Sequence, residues 1–94
     1  MTIATSVSRF PIGRLVITPG AWDGLTQDDV IRGLVRHMAG DWVELDEFDW
    51  KQNERAVDGD TRLLSRYSAR SGTVFWIITE HDRSVTTILL PDEY

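Results

Sequence analysis

The sequence predicts one α+β domain with the order β-α-α-β-β-β, in which a C-terminal antiparallel meander packs on one or two helices. Between residues 26 and 57 the apolar side chains recur with helical spacing, whereas from residue 61 they alternate with polar ones, as in strands. The chain of 94 residues suits one hydrophobic core and is too short for two. We expect residues 1–9 to form a disordered lead-in and residues 10–94 to form the domain.

The first predicted element is a strand within the apolar run Ile12–Thr18, which is rich in β-branched residues. Pro19-Gly20 is a strong turn signal, and we expect it to end this strand. Past the turn, three residues are expected to fold back onto the core: Ala21, Trp22 and Leu25.

The clearest helix starts at Thr26. Thr26 with Asp29 three positions later is close to a capping box, and acids in the first turn suit the positive end of the helix dipole. Gly40 is a natural C-terminal stop. The apolar stripe expected to face the core consists of Val30, Ile31, Leu34, Val35 and Met38.

A second, more polar helix is predicted from Asp46 to about Val57, and residues 58–60 end it. Its apolar edge is narrow, which places the helix on the surface of the domain. The edge consists of Leu45, Phe48, Gln52, Ala56 and Val57.

Three strands complete the chain. From residue 61 the side chains of Leu63, Ser65 and Tyr67 share one face, and residues 69–72 form a loop. Residues 73–79 and 85–90 are rich in β-branched and aromatic residues and flank a turn at residues 80–83. Short connections between adjacent strands predict an antiparallel meander.

The composition excludes several classes of protein. Without cysteine the chain has neither a disulfide nor a thiolate zinc site. Residues 1–8 lack the pattern of a secretory signal, and no apolar run approaches the ~20 residues of a membrane span, so we expect a cytoplasmic protein that does not bind membranes. Most of the four tryptophans are expected in the core, and one of them could bind a partner: Trp22, Trp42, Trp50 and Trp76.

The net charge of −5 is concentrated in residues 41–60, where eight acids face only Lys51 and Arg55. This balance disfavours direct binding to nucleic acid, since phosphate binding depends on Lys and Arg. The segment could be a solvated helix face, or it could meet a basic partner. Exposed strand edges and the tryptophans also leave room for a homodimer.

His81 is the strongest candidate for acid–base chemistry. It lies in the predicted turn between two strands, where a histidine is accessible and can exchange protons. Arginines on the sheet could stabilise a phosphate in its transition state, and Glu44 or Glu47 could act as a base. The arginines in question are Arg62, Arg66 and Arg83.

Other chemistries find less support. His37 and Asp41 have a helical spacing that can share a metal, but two histidines and no cysteine leave such a site incomplete, and His37 is expected on the flank of its helix. Ser65 and Ser84 lack an adjacent base, and no phosphate loop or cofactor fingerprint is present. We therefore expect neither a metal nor a cofactor.

Three groups of strings resemble a family of short proteins carried by plasmids, phages and integrated elements, often described as plasmid-related. They are FPIGR at 10–14 with TPGA at 18–21; RHMAGDW at 36–42; and RLLS at 62–65 with WIITE at 76–80, DRS at 82–84 and TTILLP at 86–91. The resemblance spans roughly residues 10–94 and implies an accessory function in DNA transfer or in resisting host defence. It implies no particular activity, cofactor or catalytic residue.

A second resemblance is to small ribonucleases of the barnase type and to RelE/ParE-type toxins. They also place helices before a meander, and the barnase type has a histidine in a late strand turn, as this chain has at His81. This resemblance implies a metal-independent ribonuclease whose site contains His81 with Arg62 and Arg66 on the sheet.

Two hypotheses follow from the sequence. In the first, the protein is a non-enzymatic module whose acidic segment contacts a basic protein surface, such as that of a nucleic-acid-binding host protein; inhibition of a host defence nuclease would fit. In the second, it is the ribonuclease just described. The residues expected to bind in the first hypothesis are Asp41, Trp42, Glu44, Asp46, Glu47, Asp49 and Trp50.

Overall fold

The computed structural model describes residues 8–42 and 44–94, which contain three α-helices and four strands. Residues 1–7 of the expected lead-in lie outside these ranges, while the N–H of Arg9 donates to the carbonyl of Met38. In chain order the elements are β1 (Arg14–Ile17), α1 (Pro19–Gly24), α2 (Gln27–Met38), α3 (Glu47–Asp58), β2 (Leu63–Ser68), β3 (Val74–Thr79), β4 (Val85–Leu89) and a final 3₁₀ turn, Pro91–Glu93.

The strands form one mixed sheet in the order β1-β4-β3-β2. β2, β3 and β4 are the predicted antiparallel meander, with Ser65 opposite Ile77 and Ile77 opposite Ile88. β1 lies at the far edge, parallel to β4, with Ile17 opposite Ile88. These four side chains share one face of the sheet, here called the inner face, against which the helices pack. The predicted α+β class is confirmed.

Both predicted helices are present with the expected caps. Thr26 and Asp29 form a full capping box at the start of α2, and Asp46 accepts a hydrogen bond from the N–H of Asp49 at the start of α3. The prediction of a turn at residues 19–20 is wrong, because these residues begin α1. Thr18 caps that helix, and proline at its first position suits a helix start.

The apolar stripe predicted for α2 is only partly correct. Ile31 and Val35 are 49% and 45% exposed, whereas Gly33 and His37 are buried. Relative to the predicted orientation, α2 is turned about its axis so that Gly33 faces the sheet. Gly33 lets the helix approach the sheet closely, because a Cβ at this position would come within 2.7 Å of the ring of Phe75.

The edge predicted for α3 also needs correction. Phe48 is 69% exposed and Gln52 is exposed, while Asn53 and Ala56 face the sheet. The reason is local: the amide of Asn53 is bonded to the backbone of Leu64 in β2, so this polar residue takes an inward position.

The tryptophans are less buried than expected. Trp42 is fully buried, but Trp22 is 73% exposed and Trp50 is 42% exposed. Trp22 follows the first turn of α1 and points away from the core, although its neighbours Ala21 and Leu25 fold back onto the core as predicted.

A histidine separates the two apolar clusters of the core. One cluster surrounds Phe75 and Ile77 under α1 and α2, and the other surrounds Trp42 and Leu63 under α3. His37 lies between them with no exposed surface. Its expected position on a helix flank is therefore wrong.

A chain of hydrogen bonds holds the His37 ring. Nδ1 lies 2.5 Å from the Ser65 hydroxyl and Nε2 lies 2.9 Å from that of Thr79. Thr79 in turn contacts the Thr86 hydroxyl at 2.7 Å, and Thr86 donates to the carbonyl of Ile12.

This series of hydrogen bonds fixes the tautomer of His37. Thr86 has a single hydroxyl proton and gives it to the Ile12 carbonyl, so the Thr79 hydroxyl must donate to Thr86. Thr79 then accepts from Nε2–H of His37, and the bare Nδ1 accepts from Ser65. Burial lowers the pKa of His37 to about 3, because a charged imidazolium would lose its hydration there.

We expect this histidine to make the protein less stable in acid. The unfolded chain takes up a proton near the ordinary histidine pKa of about 6.5, whereas the folded state does not until the pH reaches about 3. Stability is thus fully present above pH ~6.5 and is lost as the pH falls, by about 1.4 kcal/mol per pH unit. Urea unfolding between pH 4.5 and 7.5 measures this slope, above the range in which carboxylates contribute most.

Two variants make the test specific. His37→Gln keeps a donor for Thr79 and should flatten the slope between pH 4.5 and 6.5, at a cost in stability at pH 7.5. His81→Ala removes the exposed histidine and should retain the wild-type slope. An equal slope in wild type and His37→Gln would contradict the account.

Candidate interaction surface

The structure brings only part of the predicted ribonuclease site together: Arg83 contacts the carbonyl of His81, whereas Arg66 and Glu47 lie elsewhere. His81 is exposed in the β3–β4 turn, where Arg66 is far from it. Arg66 is opposite Trp76 in the sheet, five residues before His81, which corresponds to ~16 Å along a strand. Glu47 lies in the first turn of α3, where its nearest cation is Lys51 at 3.1 Å.

Arg83 makes several contacts that serve the fold. Its φ of 61° lies in the left-handed region, and its guanidinium reaches back to carbonyls at the end of α3. The acceptors are the carbonyls of Ala56, Gly59, Thr61, Glu80 and His81. Arg83 thereby joins the C-terminus of α3 to the turn between β3 and β4.

Arg62 is also engaged on the surface. It bonds the hydroxyl of Tyr94, and its guanidinium carbon lies 5.3 Å from the centre of that ring. The Tyr94 ring in turn packs edge-on to Trp76, on the face of the sheet opposite the helices.

Several acids of the 41–60 segment serve the fold. Asp41 accepts from Arg36 at 2.9 Å, and this hydrogen bond raises the pKa of Arg36. Glu54 is bonded to Arg9 at 2.8 Å, which lowers the pKa of the Glu54 carboxyl. Arginines from outside the segment therefore neutralise part of its charge, and the acidic surface is narrower than the sequence predicts.

Glu44 and Asn53 close the outer edge of β2. The Asn53 side chain donates to the Leu64 carbonyl at 2.7 Å and accepts from its N–H at 3.1 Å, as a neighbouring strand would. Glu44 accepts from the hydroxyl and the N–H of Ser68 and lies 3.7 Å from Arg66. Neither role is visible in the sequence, because each depends on where β2 lies relative to α3.

The prediction that Trp42 belongs to the binding surface is wrong. Its indole has no exposed surface and packs beside Phe10 and His37, with its N–H donated to Glu54. The sequence places Trp42 among acids and therefore within the expected binding segment, but its neighbours in the chain are not its neighbours in space.

The exposed residues of the 41–60 segment include the first turn of α3, here called the acidic–aromatic face and consisting of Glu47, Phe48, Asp49 and Trp50. Phe48 and Trp50 are 69% and 42% exposed on a helix whose other exposed residues are polar. Asp46 caps this turn, and Glu47 pairs with Lys51, one turn along the helix. Phe48 was missing from the predicted binding residues because it was assigned to the apolar edge of α3. If Asn53 is placed toward the sheet, Phe48 falls on the exposed side of the helix.

Within residues 8–42 and 44–94, no group of three or more histidine, cysteine or acidic side chains could hold a metal ion. His37 is surrounded by hydroxyls and aromatic rings and does not face Asp41 across a shared site. In the same part of the chain, no helix has the length and apolar character needed to cross a membrane.

Comparison of the chain with protein families, with curated proteins and with solved structures found no match.

Replacing Arg83 should destabilise the fold. We expect Arg83→Ala to lower the free energy of unfolding by about 1–3 kcal/mol, because the carbonyls at the end of α3 lose their donor. Arg83→Lys should lose most of the same amount, since an ammonium cannot serve several carbonyls as a guanidinium does. His81→Ala should stay within about 0.5 kcal/mol of wild type. Urea unfolding at pH 7.5 measures all three; equal stabilities would contradict the role of Arg83.

Proposed function

We propose that the protein is a non-enzymatic binding module that contacts a basic protein surface through the acidic–aromatic face of α3. The observation that carries the proposal is the pair of exposed aromatic side chains, Phe48 and Trp50, set among acids on a polar helix. A single exposed apolar residue is ordinary, whereas two large exposed rings in the first turn of one helix are not. Because Phe48 and Trp50 are two positions apart, they lie ~200° apart around α3, so a partner that buries both must enclose the start of the helix.

The two rings can supply most of the binding energy. Aromatic residues are enriched among the few positions that dominate protein interfaces, because they bury a large area with few rotatable bonds. Here a formed helix presents them, with Asp46 capping its first turn. The partner therefore does not have to pay for ordering the backbone of this segment.

The acids around the rings favour a basic partner. Residues 41–60 carry a net charge of −6, and Glu47 and Asp49 flank the two rings. The Glu47–Lys51 pair is exposed on both sides, so a partner arginine can replace Lys51 at little cost. Charges at the rim of an interface act mainly on the rate of association and on the choice of partner.

The biological context of this proposal comes only from the resemblance of the sequence to proteins of mobile elements. Proteins of mobile elements encounter host proteins whose basic surfaces normally hold nucleic acid. An acidic helix with aromatic anchors would compete for such a surface, and a host defence nuclease is the class of partner that fits. Cytoplasmic location is part of the same proposal.

The test begins with capture of partners from a host lysate on immobilised protein, followed by purification of the captured protein and calorimetric measurement of its Kd. We expect Phe48→Ala and Trp50→Ala each to weaken binding at least tenfold, about 1.4 kcal/mol, because each removes an anchor. The charge reversals Glu47→Lys and Asp49→Lys should slow association and reduce its dependence on salt.

Matched controls lie elsewhere on the surface. Tyr94→Ala removes an exposed aromatic ring, and Asp92→Lys reverses an exposed acid, so both should bind as wild type does. Undiminished binding by all four α3 variants would refute the proposed surface. Incubation of the pure protein with RNA addresses the ribonuclease hypothesis, and RNA cleavage abolished by His81→Ala would refute the non-enzymatic part.

A further inference from the structure

The two edges of the sheet are treated differently by the rest of the chain. The outer edge of β2 is closed by the Asn53 amide and by Glu44, as described above. Among residues 8–42 and 44–94, none covers the outer edge of β1 in this way. An open strand edge is a template for pairing with another strand, and proteins normally block the edges that they do not use.

The groups that β1 leaves open can be named from its pairing. The N–H of Arg14 donates to Ser84 and that of Thr18 donates to Ile88, so alternate residues of the strand face β4. The backbone of Leu15 and Ile17 therefore faces away from the sheet, and no described residue forms a hydrogen bond with it.

The surroundings of this edge are apolar. Leu15 and Val16 are 41% and 37% exposed. On the inner face, beside β1, lies a groove of about 590 Å³ whose lining is apolar except for Gln27. Its other lining residues are Ile17, Ala21, Trp22, Leu25, Val30 and Ile31.

We propose that a second copy of this chain occupies the edge, with the two β1 strands antiparallel about a two-fold axis at Val16. Leu15 of each copy then lies opposite Ile17 of the other, and these pairs exchange four backbone hydrogen bonds. The result is one continuous eight-stranded sheet in which both helical layers lie on the same side. The two grooves and the two Trp22 side chains meet at the joint.

The strand itself selects this register. Gly13 has a φ of 61° and leaves the extended conformation, while Pro19 has no N–H to donate. Only the register centred on Val16 therefore pairs every outward N–H and C=O of β1. It also places Arg14 opposite Thr18 and not opposite its own copy, so the charges do not repel each other.

The size of the contact sets its strength. Two four-residue strands and the side chains beside them bury less than the ~1,200 Å² that marks stable interfaces. We therefore expect a dimer whose Kd is on the order of micromolar, visible as a concentration-dependent mass in sedimentation equilibrium.

Cross-linking tests the register, because the natural chain contains no cysteine. In the proposed dimer the two Val16 Cα atoms form a pair without hydrogen bonds, ~4.5 Å apart, which is within the range of a disulfide. Val16→Cys should thus become a covalent dimer under mild oxidation. Leu15→Cys is the matched control, since the two Leu15 residues are diagonal neighbours ~7–8 Å apart, beyond the usual reach of a disulfide, and should cross-link poorly.

A second pair of variants separates the edge from the acidic–aromatic face. Leu15→Lys should weaken the wild-type dimer at least tenfold, whereas Phe48→Lys, on α3, should leave it unchanged. A wild-type protein that is monomeric at millimolar concentration would overturn the proposal. Equal cross-linking through residues 15 and 16 would overturn the register, and neither result would bear on binding through α3.

Discussion

The fold depends on the need to satisfy a neutral histidine buried in its centre. The His37 ring has two polar nitrogens with no access to water, and each must find a partner inside the protein. An unsatisfied polar group of this kind costs about 1–3 kcal/mol. The partners, Ser65 and Thr79, lie on adjacent strands, and the chain continues through Thr86 to the Ile12 carbonyl. One network thus fixes α2, the three strands of the meander and the entry to β1 relative to one another.

This internal polarity explains the apolar surface. Because α2 places Gly33 and His37 against the sheet, the apolar residues on its other sides, Ile31 and Val35, are left exposed. On α3 the inward position of Asn53 has the same effect and leaves Phe48 exposed. The exposed ring of Phe48 and the closed edge of β2 both result from the orientation of α3, because Phe48 and Asn53 lie on different sides of this helix.

Local sequence signals were sufficient to predict the helices and strands but not to predict how they pack together. Caps at Thr26 and Asp46 and the alternation in β2 predicted those elements correctly, since they depend on neighbours in the chain. The parallel position of β1 and the roles of His37 and Asn53 depend on partners ~10 to 70 residues away, which no periodicity encodes. For the candidate surface, Glu47, Asp49 and Trp50 were predicted on the basis of charge and composition, whereas Trp42 was buried by contacts that the sequence does not show.

The two proposed surfaces lie at opposite edges of the sheet, since α3 packs on β2 while pairing would occur at β1. A two-fold dimer through β1 would therefore place its two acidic–aromatic faces at its far ends, both on the helical side. A partner with a repeated basic surface could engage both ends at once, and the second contact would then form within an existing complex. Modest affinity at each end would suffice for tight overall binding. A small helix surface with only two aromatic anchors gains most from such an arrangement, because its own area limits what one contact can contribute.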